Sequence, residues 1–215
     1  MKKILVINPY SNPAVTEGLR ECLTPLAIPE RVEIECVTLA EGPFGIESQF
    51  DSDSVVAPVR NMVVDRNDAD AYVIACYSDP GLSTCRESTN KPVYGIQESG
   101  LFAALQRGER VGVVALSKNS IIRHQRYIRT LGLESRVAAE RPLNLSVAES
   151  EEASAYPRIE AIARELIEQD MADTLLVGCA GLARHCKALE SAVGVPVTEP
   201  TQAAVTQALG LVLLG

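Results

Sequence analysis

Two cysteines stand where their position in the sequence suggests chemistry, and the first of them is Cys76. It follows a short apolar run, residues 73–75, and precedes a turn-forming segment that contains Asp79, Pro80 and Gly81. A cysteine in such a place can be a small core residue. It can also be a thiolate at the carboxyl end of a strand, where α/β sheets bind ligands.

The segment around Cys76 recurs around Cys179. An Ala-Asp pair stands seven and six residues before each cysteine, with the carboxylates at Asp70 and Asp173. In each copy the cysteine is followed by Gly-Leu, a second cysteine, Pro-Val and an Ala-rich stretch. This internal duplication predicts two similar structural units.

Two such units, related by a pseudo-two-fold axis, would place Cys76 and Cys179 on opposite walls of one crevice. A cofactor-free racemase needs this arrangement, because one thiolate removes a proton from a stereocentre and the opposite thiol returns one to the other face. Each cysteine precedes a predicted helix start, which is expected to lower the thiol pKa. The backbone N–H groups that follow could hold an enolate oxygen, namely those of Tyr77, Ser78, Ala180 and Gly181.

The other cysteines and both histidines are interpreted as non-catalytic. His124 and His185 lie among Arg and Lys on predicted helices, so we expect surface positions for them. With no acidic cluster beside them and no C-x-x-C pair, the sequence predicts no metal site and no cofactor. Phosphate-binding glycine motifs are absent as well. The remaining cysteines are expected to be packing or core residues: Cys22, Cys36, Cys85 and Cys186.

Strands and helices alternate along the chain, which predicts an α/β fold with parallel sheets. The expected strands are KILVIN, RVEIECVTL, ADAYVIAC, KPVYGI, ERVGVVAL, ADTLLVGC and GVPVTEP. The expected helices cover residues 13–24, 54–66, 98–108, 119–132, 149–170 and 201–214. Asn119 is the expected N-cap of the fourth of these helices.

The duplication divides this pattern into two pseudo-symmetric lobes, each a mostly parallel sheet flanked by helices, with the active site in the cleft between them. Residues 1–96 are predicted to form the first lobe and residues 97–200 the second. A C-terminal helix over residues 201–215 can pack back on the first lobe.

Composition restricts the partners of the chain. Its 215 residues carry a net charge of −8 and lack tryptophan, which argues against binding to nucleic acid. The N-terminal apolar run, residues 4–7, is too short for a signal segment, and no stretch reaches the length of a membrane span. We therefore expect a cytoplasmic protein with a small-molecule substrate. The apolar C-terminal helix favours burial by the lobes or by a partner subunit, as in a homo-oligomer.

Several longer motifs carry a family resemblance: INPYSNPAVTEGL, the loop GPFGIES, the block ACYSDPGL with the following RE and PVYGI, and GCAGLA. Together they resemble the hydantoin and allantoin racemase branch of the aspartate/glutamate/hydantoin racemase superfamily, over essentially the whole chain. The resemblance implies a cofactor-independent racemase that acts at C5 of a hydantoin ring, with Cys76 and Cys179 as its catalytic cysteines. It also implies substrate contacts from the first strand, from a loop that closes over the ring and from the second lobe, at Asn8, Gly45, Ile46 and Ser117.

Departures from the branch concern the substrate. Tyr10 stands where branch members commonly have Asn, and Gly45 stands where they often have Ser. The amino-acid racemases of the superfamily carry Asn-Thr and Thr-His after their two cysteines, a pattern absent here, while its malonate decarboxylases keep only one cysteine. The alternatives left open are a decarboxylase, isomerase or amino-acid racemase on this scaffold, and a non-catalytic two-lobed binding protein.

Overall fold

The computed structural model describes residues 1–150 and 152–214, and within them the strands form two parallel four-stranded sheets. The first sheet has the order β2-β1-β3-β4, built from β1 (Lys2–Asn8), β2 (Val32–Thr38), β3 (Ala71–Ile74) and β4 (Val93–Gly95). The second has the order β6-β5-β7-β8, built from β5 (Val111–Ala115), β6 (Val137–Pro142), β7 (Thr174–Gly178) and β8 (Val197–Thr198). Since the two orders correspond strand for strand, the duplication extends to the topology.

Helices connect the strands and flank the sheets. They are α1 (Pro13–Leu23), α2 (Gln49–Ser54), α3 (Val56–Asp65), α4 (Leu82–Ser88), α5 (Ile96–Leu105), α6 (Lys118–Thr130), α7 (Val147–Ser150), α8 (Tyr156–Glu168), α9 (Cys186–Val193) and α10 (Pro200–Leu214). Short 3-10 segments occur at Thr24–Leu26, Glu134–Arg136, Ala153–Ala155 and Ala180–His185. The predicted fold class is confirmed.

Burial explains why the central strands read as continuous apolar runs. In β1, residues 4–7 are fully buried, and all of β5 and β7 is buried as well. A parallel strand covered by helices on both faces has no face in contact with solvent, so its sequence does not alternate between apolar and polar residues.

The two repeated aspartates do the same structural work in each sheet. Asp70 Oδ2 accepts a hydrogen bond from the Lys3 backbone N–H at 2.8 Å, at the start of β1. Asp173 Oδ1 accepts one from the Arg110 N–H at 2.9 Å, directly before β5. Each carboxylate therefore ties the start of its own strand to the neighbouring central strand.

Some predicted elements differ from the structure. Helix 149–170 is observed as α7, the 3-10 turn Ala153–Ala155 and α8, which has Pro157 in its first turn, where a missing N–H costs nothing. Residue 151 of that prediction, like residue 215 of the C-terminal helix, lies outside the described residues. The N-cap of α6 is Ser117 and not Asn119, because Ser117 Oγ accepts from the Ser120 N–H at 3.2 Å.

Helix α2 and strand β6 were not predicted from the sequence. Helix α2 lies in the expected polar loop and begins with a capping box, in which Ser48 and Asp51 bond each other's backbone. Strand β6 is an edge strand whose residues are all half-buried. Its VAAERP sequence lacks both alternation and a continuous apolar run.

Helix α10 packs against α5 and against β3, β1 and β4 of the first sheet. The division into lobes at residues 96 and 97 stays a prediction. Across residues 1–150 and 152–214, no helix is long and apolar enough to cross a membrane.

Candidate active site

Cys76 and Cys179 line one cavity of about 20 Å³. Cys76 lies two residues beyond β3, and Cys179 directly follows β7, so the two thiols come from equivalent strand ends of the two sheets. Both side chains are buried, at 3% and 4% exposure. The other lining residues are Tyr10, Ile46, Tyr77, Ser78, Leu116, Ser120, Arg123, His124, Val147 and Gly178.

The environment of Cys76 does not match the expectation of an acidic thiol. Burial raises the pKa of Cys76 to about 12, although a hydrogen bond from the Tyr10 hydroxyl and the positive charge of Arg123 act in the opposite direction. The expected lowering is therefore wrong for this cysteine. Helix α4 begins only at Leu82, six residues after Cys76, and desolvation is the largest effect on the thiol pKa.

The loop after Cys76 is fixed by a buried carboxylate. Asp79 Oδ1 and Oδ2 accept hydrogen bonds from the Gln97 and Glu98 N–H groups, each at 2.9 Å, at the start of α5. A Cβ at Gly95 would stand 2.2 Å from Asp79 Cγ, so this contact requires glycine. Burial raises the pKa of Asp79 to about 7 against these two hydrogen bonds. The turn that carries Cys76 is thus anchored to the helix behind it.

Several predicted site residues line the cavity, namely Cys76, Cys179, Ile46, Tyr77 and Ser78. The Ser78 N–H, an expected oxyanion donor, instead donates to the Cys76 carbonyl at 2.8 Å. Ser78 still lines the cavity.

Other predicted residues lie behind the wall. Asn8 Nδ2 donates to Asn12 O at 3.1 Å and to Thr16 Oγ1 at 2.9 Å, and Asn8 Oδ1 accepts from the Tyr10 N–H at 3.0 Å. Asn8 therefore shapes the β1–α1 connection that presents Tyr10. A Cβ on Gly45 would meet Val147 Cγ2 at 3.0 Å, so Gly45 permits close packing of that loop on a lining residue.

Ser117 caps α6, as described above. Ala180 and Gly181 begin the 3-10 turn after Cys179 and are buried. Direct substrate contacts by Asn8, Gly45 and these three residues stay predictions.

The structure adds His124 to the site, which corrects its predicted surface position. The imidazole is 1% exposed and lines the cavity, with Nδ1 2.8 Å from Glu140 Oε2 and its ring nearly perpendicular to that of Tyr77 at a centroid distance of 4.7 Å. His185 is also buried, with Nε2 3.2 Å from Ser150 O, so its predicted surface position is wrong too.

The spacing of polar residues along α6 could have identified the side of this helix that faces the cavity. Ser120, Arg123 and His124 are spaced by three and four residues and fall on one face, and all three line the cavity. Because these three side chains are polar, the sequence suggested that this side of the helix faces solvent. Within residues 1–150 and 152–214, no group of three or more His, Cys, Asp or Glu side chains is arranged to hold a metal ion.

Comparison with known proteins agrees with this geometry. A family model described as Asp/Glu/Hydantoin racemase matches residues 4–208. The hydantoin racemase of Paenarthrobacter aurescens is 31% identical, over 99% of this chain and 92% of its own. The allantoin racemase structure from Klebsiella pneumoniae superposes with a TM-score of 0.94 at 28% identity, covering 100% of this chain and 89% of that one.

A second allantoin racemase structure, from Pseudomonas fluorescens, has a TM-score of 0.93 at 30% identity and covers 99% of this chain and 92% of its own. Because the family match and these similarities span nearly the whole chain, the protein belongs to the Asp/Glu/Hydantoin racemase family.

Proposed function

We propose that this protein is a cofactor-independent racemase of a hydantoin-type compound, either a 5-substituted hydantoin or allantoin. The observation that carries the proposal is the placement of Cys76 and Cys179 in one small buried cavity, at equivalent strand ends of two similar sheets. The similarity to proteins named hydantoin racemase and allantoin racemase supports the choice of substrate class.

The chemistry follows from the substrate. The C5 hydrogen of a hydantoin lies between a carbonyl and a nitrogen, so its removal leaves a delocalised enolate. One cysteine, as the thiolate, takes this proton, and the other, as the thiol, gives a proton to the opposite face of C5. The reverse reaction exchanges the two roles. No covalent bond forms between the substrate and the protein. After each turnover the cavity again holds one thiolate and one thiol.

Groups on the cavity wall stabilise the charges in this scheme. The Tyr10 hydroxyl and Arg123 favour the Cys76 thiolate, as their effects on its pKa indicate. The buried Tyr77 hydroxyl has no hydrogen-bond partner among the described residues. Burial raises the pKa of Tyr77 well above its usual range, so it keeps its proton and can donate to a substrate oxygen.

We further propose a cytoplasmic homo-oligomer without cofactor, nucleic-acid or membrane partner, in which residues 1–96 and 97–200 form the two lobes. Exposed apolar side chains support the oligomer. Phe102 on α5 and Leu211 on α10 are 43% and 52% exposed, on two helices that pack together.

The test is the exchange of the C5 proton in D2O, followed by NMR together with optical rotation, on single-enantiomer hydantoins and allantoin. Wild type should exchange and racemise at least one of them. Cys76→Ser and Cys179→Ser should each lose racemisation, and each should exchange one enantiomer at most. Cys22→Ser is the matched control, since Cys22 lies outside the cavity, beside Glu199 at 3.4 Å, and should leave the rate unchanged.

Racemisation by either cavity variant at the wild-type rate would contradict the proposal, as would the absence of exchange on every substrate. Release of CO2 from a malonate would favour the decarboxylase alternative. Ligand binding without turnover would favour the binding protein.

A further inference from the structure

Arg123 is the one lysine or arginine among the described residues that line the cysteine cavity. Its side chain lies on α6, and the residue is only 9% exposed. Nη1 donates to the Glu47 and Asn119 carbonyls at 3.2 and 3.3 Å, while the Nε proton has no partner among the described residues. The buried positive charge of Arg123 is therefore hydrogen-bonded to two neutral carbonyl oxygens, and its Nε–H donor has no partner among the described residues.

A buried guanidinium without a paired anion is costly, because desolvation is not offset by a nearby negative charge. The carboxylate whose pKa is lowered by the charge of Arg123 is that of Asp51. Burial opposes its ionisation, but hydrogen bonds from Ser48 and Glu47, with the charge of Arg123, hold the pKa of Asp51 below its usual range.

Asp51 is already committed to the start of α2. Its Oδ2 accepts from the Ser48 N–H at 2.8 Å and from Ser48 Oγ at 2.7 Å. No carboxylate in the described part of the chain forms an ion pair with Arg123. The charge of Arg123 therefore remains available to a bound anion.

The position of Arg123 indicates which part of a ligand it would meet. Arg123 and Ser78 line both the cysteine cavity and an open groove beside it. A C5 substituent that extends from the cysteine cavity into this groove would pass Arg123. Within the groove, Arg126 and Asp53 carry opposite charges and both bond the Gln49 side-chain amide, so Arg123 provides the unbalanced charge.

We propose that Arg123 recognises an acidic C5 substituent, so that the preferred substrates are hydantoins with a carboxylate on the side chain. This inference rests on the proposed racemase function. A carboxylate accepts two charge-assisted hydrogen bonds from a guanidinium, whereas the oxygen of a neutral carboxamide offers no charge and its NH2 group is a donor that Arg cannot satisfy.

Two pairs of near-isosteric substrates test the inference. They are 5-carboxymethylhydantoin against 5-carbamoylmethylhydantoin, and 5-(2-carboxyethyl)hydantoin against 5-(2-carbamoylethyl)hydantoin. For wild type, kcat/KM for C5 exchange should be higher for the carboxylate member of at least one pair, by about tenfold or more, as expected for hydrogen bonds to a charged group. The difference should lie mainly in KM, because the contact forms in the ground state as well.

In Arg123→Gln, the ratio of kcat/KM between the two members of that pair should fall to about one, while Arg123→Lys should give an intermediate ratio. Arg129→Gln is the matched control on the same helix. Arg129 is bound to Glu134 at 2.9 Å, outside the cavity, so this variant should keep the wild-type ratio.

Equal or better exchange of the carbamoyl member by wild type, in both pairs, would overturn the inference while leaving racemisation intact. A loss by the same factor on both members in Arg123→Gln would overturn it as well, since that result indicates that Arg123 acts only through the Cys76 thiolate or the fold. If Arg123→Gln does not fold, the wild-type ratios and the Arg123→Lys variant decide. Absence of exchange on every hydantoin would instead refute the racemase proposal and this inference with it.

Discussion

Replacing Tyr10 with Phe should make Cys76 a weaker acid and slow its attack on a small disulfide. Tyr10 is 2% exposed and lines the cavity, and the hydrogen bond from its hydroxyl lowers the pKa of Cys76 against the burial that raises it to about 12. A hydrogen bond to a charged group contributes about 1.5–3 kcal/mol. Its loss should therefore raise the thiol pKa by about one to two units.

The rate should change by less than the thiolate fraction does. At neutral pH that fraction falls about 10- to 100-fold when the pKa rises by one to two units. A more basic thiolate is a better nucleophile, with a Brønsted coefficient of about 0.4–0.5, so the net loss of rate is about 3- to 15-fold.

The assay is the rate of mixed-disulfide formation at Cys76, read by mass spectrometry of the modified peptides. Cys179 in the same cavity serves as the internal reference, because removal of the hydroxyl widens access to both thiols. The Cys76-to-Cys179 rate ratio should fall in Tyr10→Phe. It should not change in Tyr94→Phe, whose hydroxyl donates to Gln207 O at 3.4 Å, outside the cavity. An unchanged or higher ratio in Tyr10→Phe would refute the reasoning.

Three further predictions concern stability and are checked by urea unfolding. Burial raises the pKa of Asp79 to about 7, so the contribution of the protonated carboxyl to stability is full below about pH 4 and is lost as the pH rises through 7. Asp79→Asn should remove this pH dependence of the unfolding free energy, which amounts to at most about 4 kcal/mol. Gly95→Ala should destabilise the protein by roughly 1–3 kcal/mol or more, since the new Cβ would stand 2.2 Å from Asp79 Cγ. Gly18→Ala should instead stabilise the protein by about 0.5–1 kcal/mol, because Gly18 lies within helix α1 and a Cβ there would meet no atom within 4 Å. Asp70→Asn and Asp173→Asn should destabilise to a similar degree, because each carboxylate anchors the start of an equivalent strand; a large loss in only one of them would contradict that equivalence.

The sequence contains enough to predict the paired sheets, because the repeat around Cys76 and Cys179 combines local strand signals with a long-range symmetry. The order of strands within each sheet follows the same repeat. Strand β6 escaped prediction because an edge strand, half-buried throughout and ending in Pro142, has neither the apolar run nor the alternation that marks a strand.

The site was harder to predict than the fold, for a physical reason that α6 illustrates. A cavity is formed by side chains from distant segments, and a polar residue that faces it looks the same in sequence as one that faces water. The hydrogen-bond partner of His124 is Glu140 on β6, a strand that was not predicted from the sequence. The burial of His124 thus depended on a strand that could not be predicted locally.

Strand register shows how two similar lobes came to provide unlike surroundings for their cysteines. Ile7 pairs with Ile74, and Val114 pairs with Val177, each partner lying two residues before its cysteine. Counted from these pairs, Tyr10 and Ser117 occupy equivalent positions, three residues further along the chain and two residues beyond the ends of β1 and β5. Ser117 caps the next helix, α6, with its own hydroxyl.

In the first lobe, the cap lies two residues later. Asn12 Oδ1 accepts from the Ala14 N–H at 3.0 Å and begins α1, which leaves position 10 without a capping duty. A large side chain can then occupy that position and reach the Cys76 sulfur. The duplication thus provides two thiols, and a shift of one helix cap makes their environments differ. For a racemase, that difference must leave the ratio kcat/KM equal for the two enantiomers, because they have equal free energy in water. Unlike bases can therefore make kcat differ between the two enantiomers only if KM differs by the same factor. Tyr10→Phe should accordingly change kcat/KM by the same factor for both enantiomers, even where it changes their kcat values unequally.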